Sequence, residues 1–225
     1  EIGYEVLSEL GPIQSDLITK IRGLNMALLD YLGKYNEGST LAKIGLSQPP
    51  TGAADSILTD TAEDRENLRI GDVEVVRESP TSLEIRLTAR YKPEDEDDEE
   101  FETDRWGYTE TEFEPALRIS DLTETEADLL EAFVPVAVDE AGGFANFRET
   151  ATKTNSLVDR LRALTLPAVD DVREGLESYL ETKARAEELE AKIETTDELI
   201  DEIVYELYGL TDEEIAIVEE TVDDD

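Results

Sequence analysis

A long helical periodicity near the carboxyl end is the feature that most constrains the fold. Across residues 170–208, apolar side chains recur every three or four positions, with charged residues between them. The apolar positions are Val172, Leu176, Tyr179, Ala186, Leu189, Ile193, Ile200, Ile203 and Leu207. Such spacing predicts one amphipathic helix, and about 40 residues at 1.5 Å each would extend roughly 60 Å. A small domain cannot cover that length, so we expect a second helix or a partner domain to pack against it.

The end of this helix also has recognisable signals. Gly209 follows Tyr208, and glycine adopts the left-handed conformation that ends many helices at low cost. The next residues, Thr211-Asp212-Glu213-Glu214, match a capping box. Residues 215–218 supply an apolar side, so we predict a short closing helix.

Charge and composition narrow the environment and the chemistry. The 225 residues include 58 acidic and 20 basic side chains, for a net charge of -38. The excess is spread along the chain, which suits a cytoplasm holding near-molar salt, where the screening length is only about 3 Å. We therefore expect a halophilic source and a cytoplasmic location.

The residue types that are missing narrow the function further. Cysteine and histidine are absent, which excludes disulfides and thiolate metal sites and removes the commonest general base. No apolar run approaches 18 residues, so no membrane partner is expected. The sequence begins without methionine, and we expect it to be a piece of a longer polypeptide.

Residues 1–66 are predicted to form an N-terminal helix and an irregular loop. Gly11-Pro12 is expected to form a break after a short N-terminal segment. A helix is expected from Ser15 to Tyr35, with Ser15 as its N-cap. Residues 36–67 are rich in glycine, proline, serine and threonine. They predict a long loop with one helical turn near residues 54–58.

Residues 67–120 are predicted to form a small antiparallel sheet with an acidic loop. Residues 83–91 alternate apolar and polar side chains, which is typical of a half-buried strand. Residues 68–77 resemble a preceding strand, joined to it by a turn over residues 78–81. After an acidic loop over residues 93–104, we expect a third strand over residues 106–113.

Residues 121–225 are predicted to be helical. Thr123-Glu124-Thr125-Glu126 matches a capping box, and Pro135 should kink or shorten the helix that follows. Gly142-Gly143 should end it, with further helix from Phe144 and again after a break at residues 152–155. The predicted fold class is α+β, mainly α: a small antiparallel sheet plus a helical region ending in the long amphipathic helix and the closing helix.

No motif in the chain predicts catalysis or metal binding. Gln48-Pro49-Pro50-Thr51 is similar to the Asn-Pro-Pro-aromatic motif of amino-group methyltransferases, but it lacks the usual first residue and the aromatic. The acidic residues 94–100 lack the glycine-punctuated spacing of a calcium loop. We expect no catalytic residue, no metal and no cofactor in this chain.

Basic residues are scarce, so their grouping is informative. One group is expected on neighbouring strands and the other around a helix break, and both could contact double-stranded DNA. The candidate DNA-binding residues are Arg77, Arg86, Arg90 and Lys92 in the first group, and Lys153, Asn155, Arg160 and Arg162 in the second. The alternative is that these cations pair with surplus carboxylates.

The C-terminal string IDEIVYELYGLTDEEI, residues 200–215, resembles the end of type II restriction-modification DNA methyltransferases, including the fused type IIG enzymes. WGYTETE at residues 106–112 and ATKTNS at residues 151–156 look like segments of haloarchaeal members. Leu164-Thr165-Leu166-Pro167, leading into a long helix, is similar to the junction that closes DNA-specificity domains.

The resemblance implies a division of labour within a larger enzyme. A methyltransferase domain binds S-adenosylmethionine and methylates adenine, while the C-terminal region supplies target recognition and helical spacing. This chain lacks the cofactor loop, the Asn-Pro-Pro-aromatic motif and a nuclease triad, so the resemblance implies the non-catalytic region alone. Its expected partners are the methyltransferase domain and double-stranded DNA. The rival hypothesis is a structural protein that pairs through its long helix and binds no nucleic acid.

Overall fold

The computed structural model describes residues 2–49, 56–65, 67–93, 102–139 and 154–223. It has the predicted α+β fold, with an antiparallel sheet, a long helix and a short closing helix. The helices are α1 (Ile2–Arg22), α2 (Leu28–Leu32), α3 (Glu124–Asp139), α4 (Leu157–Arg162), α5 (Val169–Tyr208) and α6 (Asp212–Asp223), and a 3-10 helix spans Ile57–Thr59. The strands are β1 (Glu37–Thr40), β2 (Leu46–Gln48), β3 (Arg69–Ser79), β4 (Ser82–Tyr91), β5 (Thr109–Glu110), β6 (Glu114–Ser120) and β7 (Thr165–Pro167).

The chain divides into two compact units. The sheet unit comprises Leu28–Glu177, and the helical unit comprises Glu1–Ala27 with Ser178–Asp225. The boundary therefore falls within α5. The three predicted segments follow the order of element types along the chain, whereas these units follow contacts in space.

The sheet unit is built on an antiparallel sheet with one apolar face. Its strand order is β2-β6-β4-β3, and β5 also pairs with β4. The alternation predicted for β4 is confirmed, because Leu83, Ile85 and Leu87 are fully buried while Glu84 and Arg86 on the other face are partly exposed. Helix α3 packs against β3. Its buried side is the predicted one and includes Leu130, Phe133 and Val134.

The third strand of the sheet is not where the sequence places it. Residues 106–113 contribute only β5, and the strand that pairs with residues 83–87 of β4 is β6. Strand β6 carries Pro115 beside a register shift between Ile85 and Arg86. A proline is tolerated in a sheet at such a bulge, because its missing N–H is not needed there.

The predicted irregular loop over residues 36–67 also contains regular structure. Strand β1 pairs with β7, and β2 pairs with β6. At Gly38 an added Cβ would lie 2.8 Å from the Pro167 carbonyl oxygen, so the close approach of these segments requires glycine. The predicted helical turn is observed at Ile57–Thr59, with Ser56 as its N-cap.

The helical unit corrects the prediction for the N-terminus. Helix α1 runs continuously through Gly11 and Pro12, and a separate short helix α2 follows, so the predicted break at Gly11-Pro12 and the single helix to Tyr35 are wrong. Pro12 is on the exposed side of α1. Besides Ile18, the partly buried residues among the described side chains of α1 are Gly3, Leu7, Leu10, Gln14, Leu17 and Ile21. Their 4-3 alternation is a heptad pattern, and packing of that face outweighs the local cost of proline.

Within the helical unit, α1 is the partner of the long apolar stripe on α5. Gln14 donates a hydrogen bond to Asp197, and Gly3 lies against Leu207. Residue numbers thus fall on one helix as they rise on the other, which makes the pair antiparallel. The α5 residues on this stripe are Ala186, Leu189, Ile193, Thr196, Ile200, Ile203 and Leu207, and all are at least partly buried. They repeat the heptad spacing of a two-stranded coiled coil.

The predicted helix boundaries at the carboxyl end are confirmed. Gly209 has φ +65° and follows the last residue of α5. Thr211 and Glu214 form the capping box, with the Thr211 N–H donating to Glu214 at 2.9 Å. The capping box of Thr123 and Glu126 is present as well, and α3 continues through Pro135 to Asp139. The predicted helix end at Gly142-Gly143 and the segment from Phe144 lie outside the described residues.

Candidate nucleic-acid interface

Arg77 lies on the helix-covered face of the sheet. It is opposite Leu83 in the register of β3 and β4, and directly paired residues share a face. Its guanidinium pairs with Asp128 and, at 3.1 Å, with Glu131, both on α3. Arg77 therefore joins the sheet to α3 and does not share the face of Arg86.

Arg86 lies on the open face of the sheet, as predicted, but between carboxylates. Its Nε is 2.8 Å from Glu84 and its Nη1 is 3.5 Å from Glu74. The hydrogen bond with Glu84 is the main cause of a raised pKa for Arg86, and the charge of Glu74 adds to it. Two carboxylates neutralise this cation, so it offers little attraction to a phosphate.

The second predicted group is divided in the structure. Arg160 is 8% exposed and donates to the Leu68 carbonyl and to Asn155, each at 3.2 Å. Burial lowers the pKa of Arg160. Arg162 is half-buried on α4, and Lys153 lies outside the described residues. Arg160 and Asn155 thus hold together elements of the sheet unit.

Arg90 and Lys92 lie in a group of cations around two aromatic rings. We define the cation–aromatic cluster as Arg69, Arg90, Lys92, Arg105, Trp106 and Tyr108. Arg69 and Arg90 are directly opposite each other on β3 and β4. Their Cζ atoms lie 4.0 and 5.2 Å from the centre of the Tyr108 ring, and Lys92 Nζ lies 5.3 Å from it. Most of these residues line one open depression.

Like charges placed directly opposite on a sheet repel each other, so this arrangement needs compensation. The Tyr108 ring supplies part of it, since a cation over an aromatic face gains about 0.5–1 kcal/mol at an exposed site. Asp104 also reduces the repulsion between these cations, through its ion pair with Arg90. Within the described ranges, neither Arg69 nor Lys92 forms an ion pair.

A tight turn at residues 104–108 presents the aromatic side chains. The Asp104 carboxylate accepts hydrogen bonds from the N–H groups of Trp106 and Tyr108 at 2.8 and 3.0 Å. The Asp104 N–H donates to the Tyr108 carbonyl at 2.8 Å, and Gly107 adopts φ +76°. The hydrogen bond from Tyr108 is the largest cause of a lowered pKa for Asp104, followed by that from Trp106 and the charge of Arg90.

Trp106 stands at the tip of this turn. It is 57% exposed, although tryptophan is usually well covered. The Arg105 guanidinium lies 3.9 Å from the centre of its ring. An exposed indole flanked by cations offers both a stacking surface and charge for a nucleotide.

Four of the six residues of this cluster are not among the sequence-predicted site residues. They are Arg69, Arg105, Trp106 and Tyr108. The pattern of residues 106–113 indicates a strand, which hides the exposed turn that carries Trp106 and Tyr108. The order Arg-Trp-Gly-Tyr was an available signal, since glycine favours a turn and the chain contains a single tryptophan.

Other kinds of site have no support in the described part of the chain. No group of acidic residues there could hold a metal ion, and the acidic residues 94–100 lie outside it. None of the described helices is long and apolar enough to cross a membrane. Comparisons with protein-family models, curated proteins and solved structures find no match for this chain.

Proposed function

We propose that this chain is the non-catalytic target-recognition or scaffold region of a site-specific restriction-modification DNA methyltransferase. It would help to position double-stranded DNA for adenine methylation. The observation that carries this proposal is the cation–aromatic cluster, which concentrates arginine and lysine in a chain of net charge -38. A random surface of such a chain would surround each cation with carboxylates, as happens to Arg86.

The chemistry of the cluster fits a DNA backbone. Arg69, Lys92 and Arg105 carry the charged donors that bind phosphate oxygens, and none of the three forms an ion pair among the described residues. Phosphate contacts fix the position of a protein on the duplex, and base contacts give sequence preference. Arg90 is already held by Asp104 and would act mainly by keeping the cluster in place.

The helical unit supports the scaffold part of the proposal. The α1–α5 pair is an antiparallel coiled coil, which can act as a stiff spacer because each helix covers the apolar stripe of the other. Large apolar side chains remain exposed outside that stripe, including Ile13 at 51% and Ile217 at 63%. We propose that the methyltransferase domain covers them and binds S-adenosylmethionine, and that the assembly works in a salt-rich cytoplasm.

The same exposed residues favour a second candidate function. A structural protein that pairs through its helices and binds no nucleic acid would also need an apolar surface outside the α1–α5 stripe. Light scattering separates the two, because a stable dimer that fails to bind DNA would favour the rival. A monomer that binds duplex DNA through the cluster would favour the first proposal.

Duplex binding tests the proposal directly. Anisotropy of a labelled duplex should report binding that weakens in an Arg69→Ala/Lys92→Ala variant. Arg118→Ala is the matched control, because Arg118 is on the same sheet, is 58% exposed and already pairs with Glu78. Equal affinity of the wild type, the double variant and the control would remove the cluster from the DNA contact.

A further inference from the structure

We infer that Trp106 stacks on a nucleobase that has left the duplex stack, while Arg69 and Lys92 bind the adjoining backbone phosphate. This inference rests on the proposed function and specifies its ligand. The ligand class is an unpaired nucleotide within DNA, recognised by its aromatic face and its charge and not by its base edges.

The turn at residues 104–108 holds the Trp106 indole in place before a ligand arrives. Asp104 accepts hydrogen bonds from the backbone on both sides of Gly107, and the backbone of Asp104 and Tyr108 is also paired. A side chain on a turn pinned in this way loses little backbone freedom on binding, so more of the contact energy appears as affinity.

Trp106 combines an exposed aromatic ring with one cation over a face of that ring. Arg105 lies 3.9 Å from the Trp106 ring centre, and more than half of Trp106 remains accessible. Proteins that bind unpaired strands combine stacking aromatics with a positively charged groove, since every base has a flat face. The depression beside Trp106, lined by Asn67, Arg69 and Lys92, provides such a groove.

The composition predicts an environment near molar salt, where phosphate contacts are strongly screened. Stacking does not depend on long-range charge, and one aromatic contact contributes roughly 5- to 150-fold in affinity per base. An acidic chain that must contact DNA under these conditions would therefore gain more from an exposed tryptophan than from another cation.

The test uses the full 225-residue chain in potassium chloride, at concentrations where circular dichroism shows it to be folded. The probes are a fully paired duplex and the same duplex with one unpaired thymine. Because Trp106 is the single tryptophan of the sequence, its fluorescence reports stacking without any label. We expect quenching and at least about fivefold tighter binding with the unpaired thymine, with the preference kept as salt is raised.

Variants assign this effect to the indole. Trp106→Ala should reduce the preference for the unpaired thymine towards one, and Trp106→Phe should keep part of it. Arg118→Ala should leave the preference unchanged. Duplex binding that depends on Arg69 but shows no thymine preference and no quenching would overturn the inference and leave the proposed function standing. Failure to bind either probe would overturn the inference as well, and methylation by the complete gene product would then decide the proposed function separately.

Discussion

Replacing Arg160 with alanine separates a structural role from a DNA-contact role for the second group of cations. Arg160 is 8% exposed, and its guanidinium donates to the Leu68 carbonyl and to Asn155. Each hydrogen bond from a charged donor contributes about 1.5–3 kcal/mol, and the buried aliphatic stem adds about 1–2 kcal/mol. Allowing for relaxation around the site, the loss should be roughly 3–5 kcal/mol. That corresponds to a fall of about 6–20 °C in the thermal midpoint for a chain of this size.

Differential scanning calorimetry in fixed potassium chloride measures this loss. Arg162→Ala is the matched control, because Arg162 is two residues away on the same helix and is only half-buried. We expect the control to change the midpoint by less than about 2 °C, as most exposed substitutions do. An Arg160→Ala protein as stable as the wild type but weaker in DNA binding would refute the structural assignment.

The remaining predictions concern packing, acid and salt. Gly175→Ala should lower the free energy of unfolding by about 1–3 kcal/mol, because its Cβ would overlap the Tyr31 carbonyl. Gly11→Ala has open space around it and should be neutral or stabilising by up to about 1 kcal/mol. Urea unfolding compares the two variants. Because the pKa of Asp104 is lowered in the folded state, its carboxylate adds to the free energy of unfolding above its unfolded pKa of about 3.9. That stabilisation is lost as the pH falls through the lower folded pKa. Trp106 emission should therefore change as the pH falls below about 4, and a change of the same size and midpoint in Asp104→Asn would count against this. The thermal midpoint should rise with potassium chloride from dilute buffer to molar concentrations, and equal stability in dilute buffer would contradict the halophilic assignment.

Local signals in the sequence were sufficient for several elements. The alternation around Leu83 and the capping boxes beginning at Thr123 and Thr211 act over a few residues, so they could be interpreted without knowing the fold. Gly209 marked the end of the long helix for the same reason. The heptad stripe on α5 predicted that a partner must exist, but not that α1 would be that partner.

Elements decided by distant contacts could not be predicted in the same way. Pro12 and Pro115 are both unfavourable by local rules, yet one lies in α1 and the other in β6. The heptad face of α1 outweighs the first, and a bulge beside β4 accommodates the second. Both compensations come from neighbours far away along the chain.

The candidate site likewise combines features set by local sequence with features set by distant contacts. The sequence placed Arg86 and Arg90 on one strand face, which the register of β4 with β3 supports. It could not show that Glu74 lies opposite Arg86, or that Arg69 lies opposite Arg90, because those pairings depend on strand register. The exposure of Trp106 could not be predicted, because the pattern of residues 106–113 indicates a strand where the structure has a turn.

Methylation by the complete gene product that contains this chain tests the central claim most directly. Sequencing that detects N6-methyladenine should find a defined methylated site in cells expressing that product. An Arg69→Ala/Lys92→Ala variant should lose most of this methylation, while Arg118→Ala keeps it. Absence of methylated adenine with the wild-type product, or full methylation by the double variant, would contradict the account.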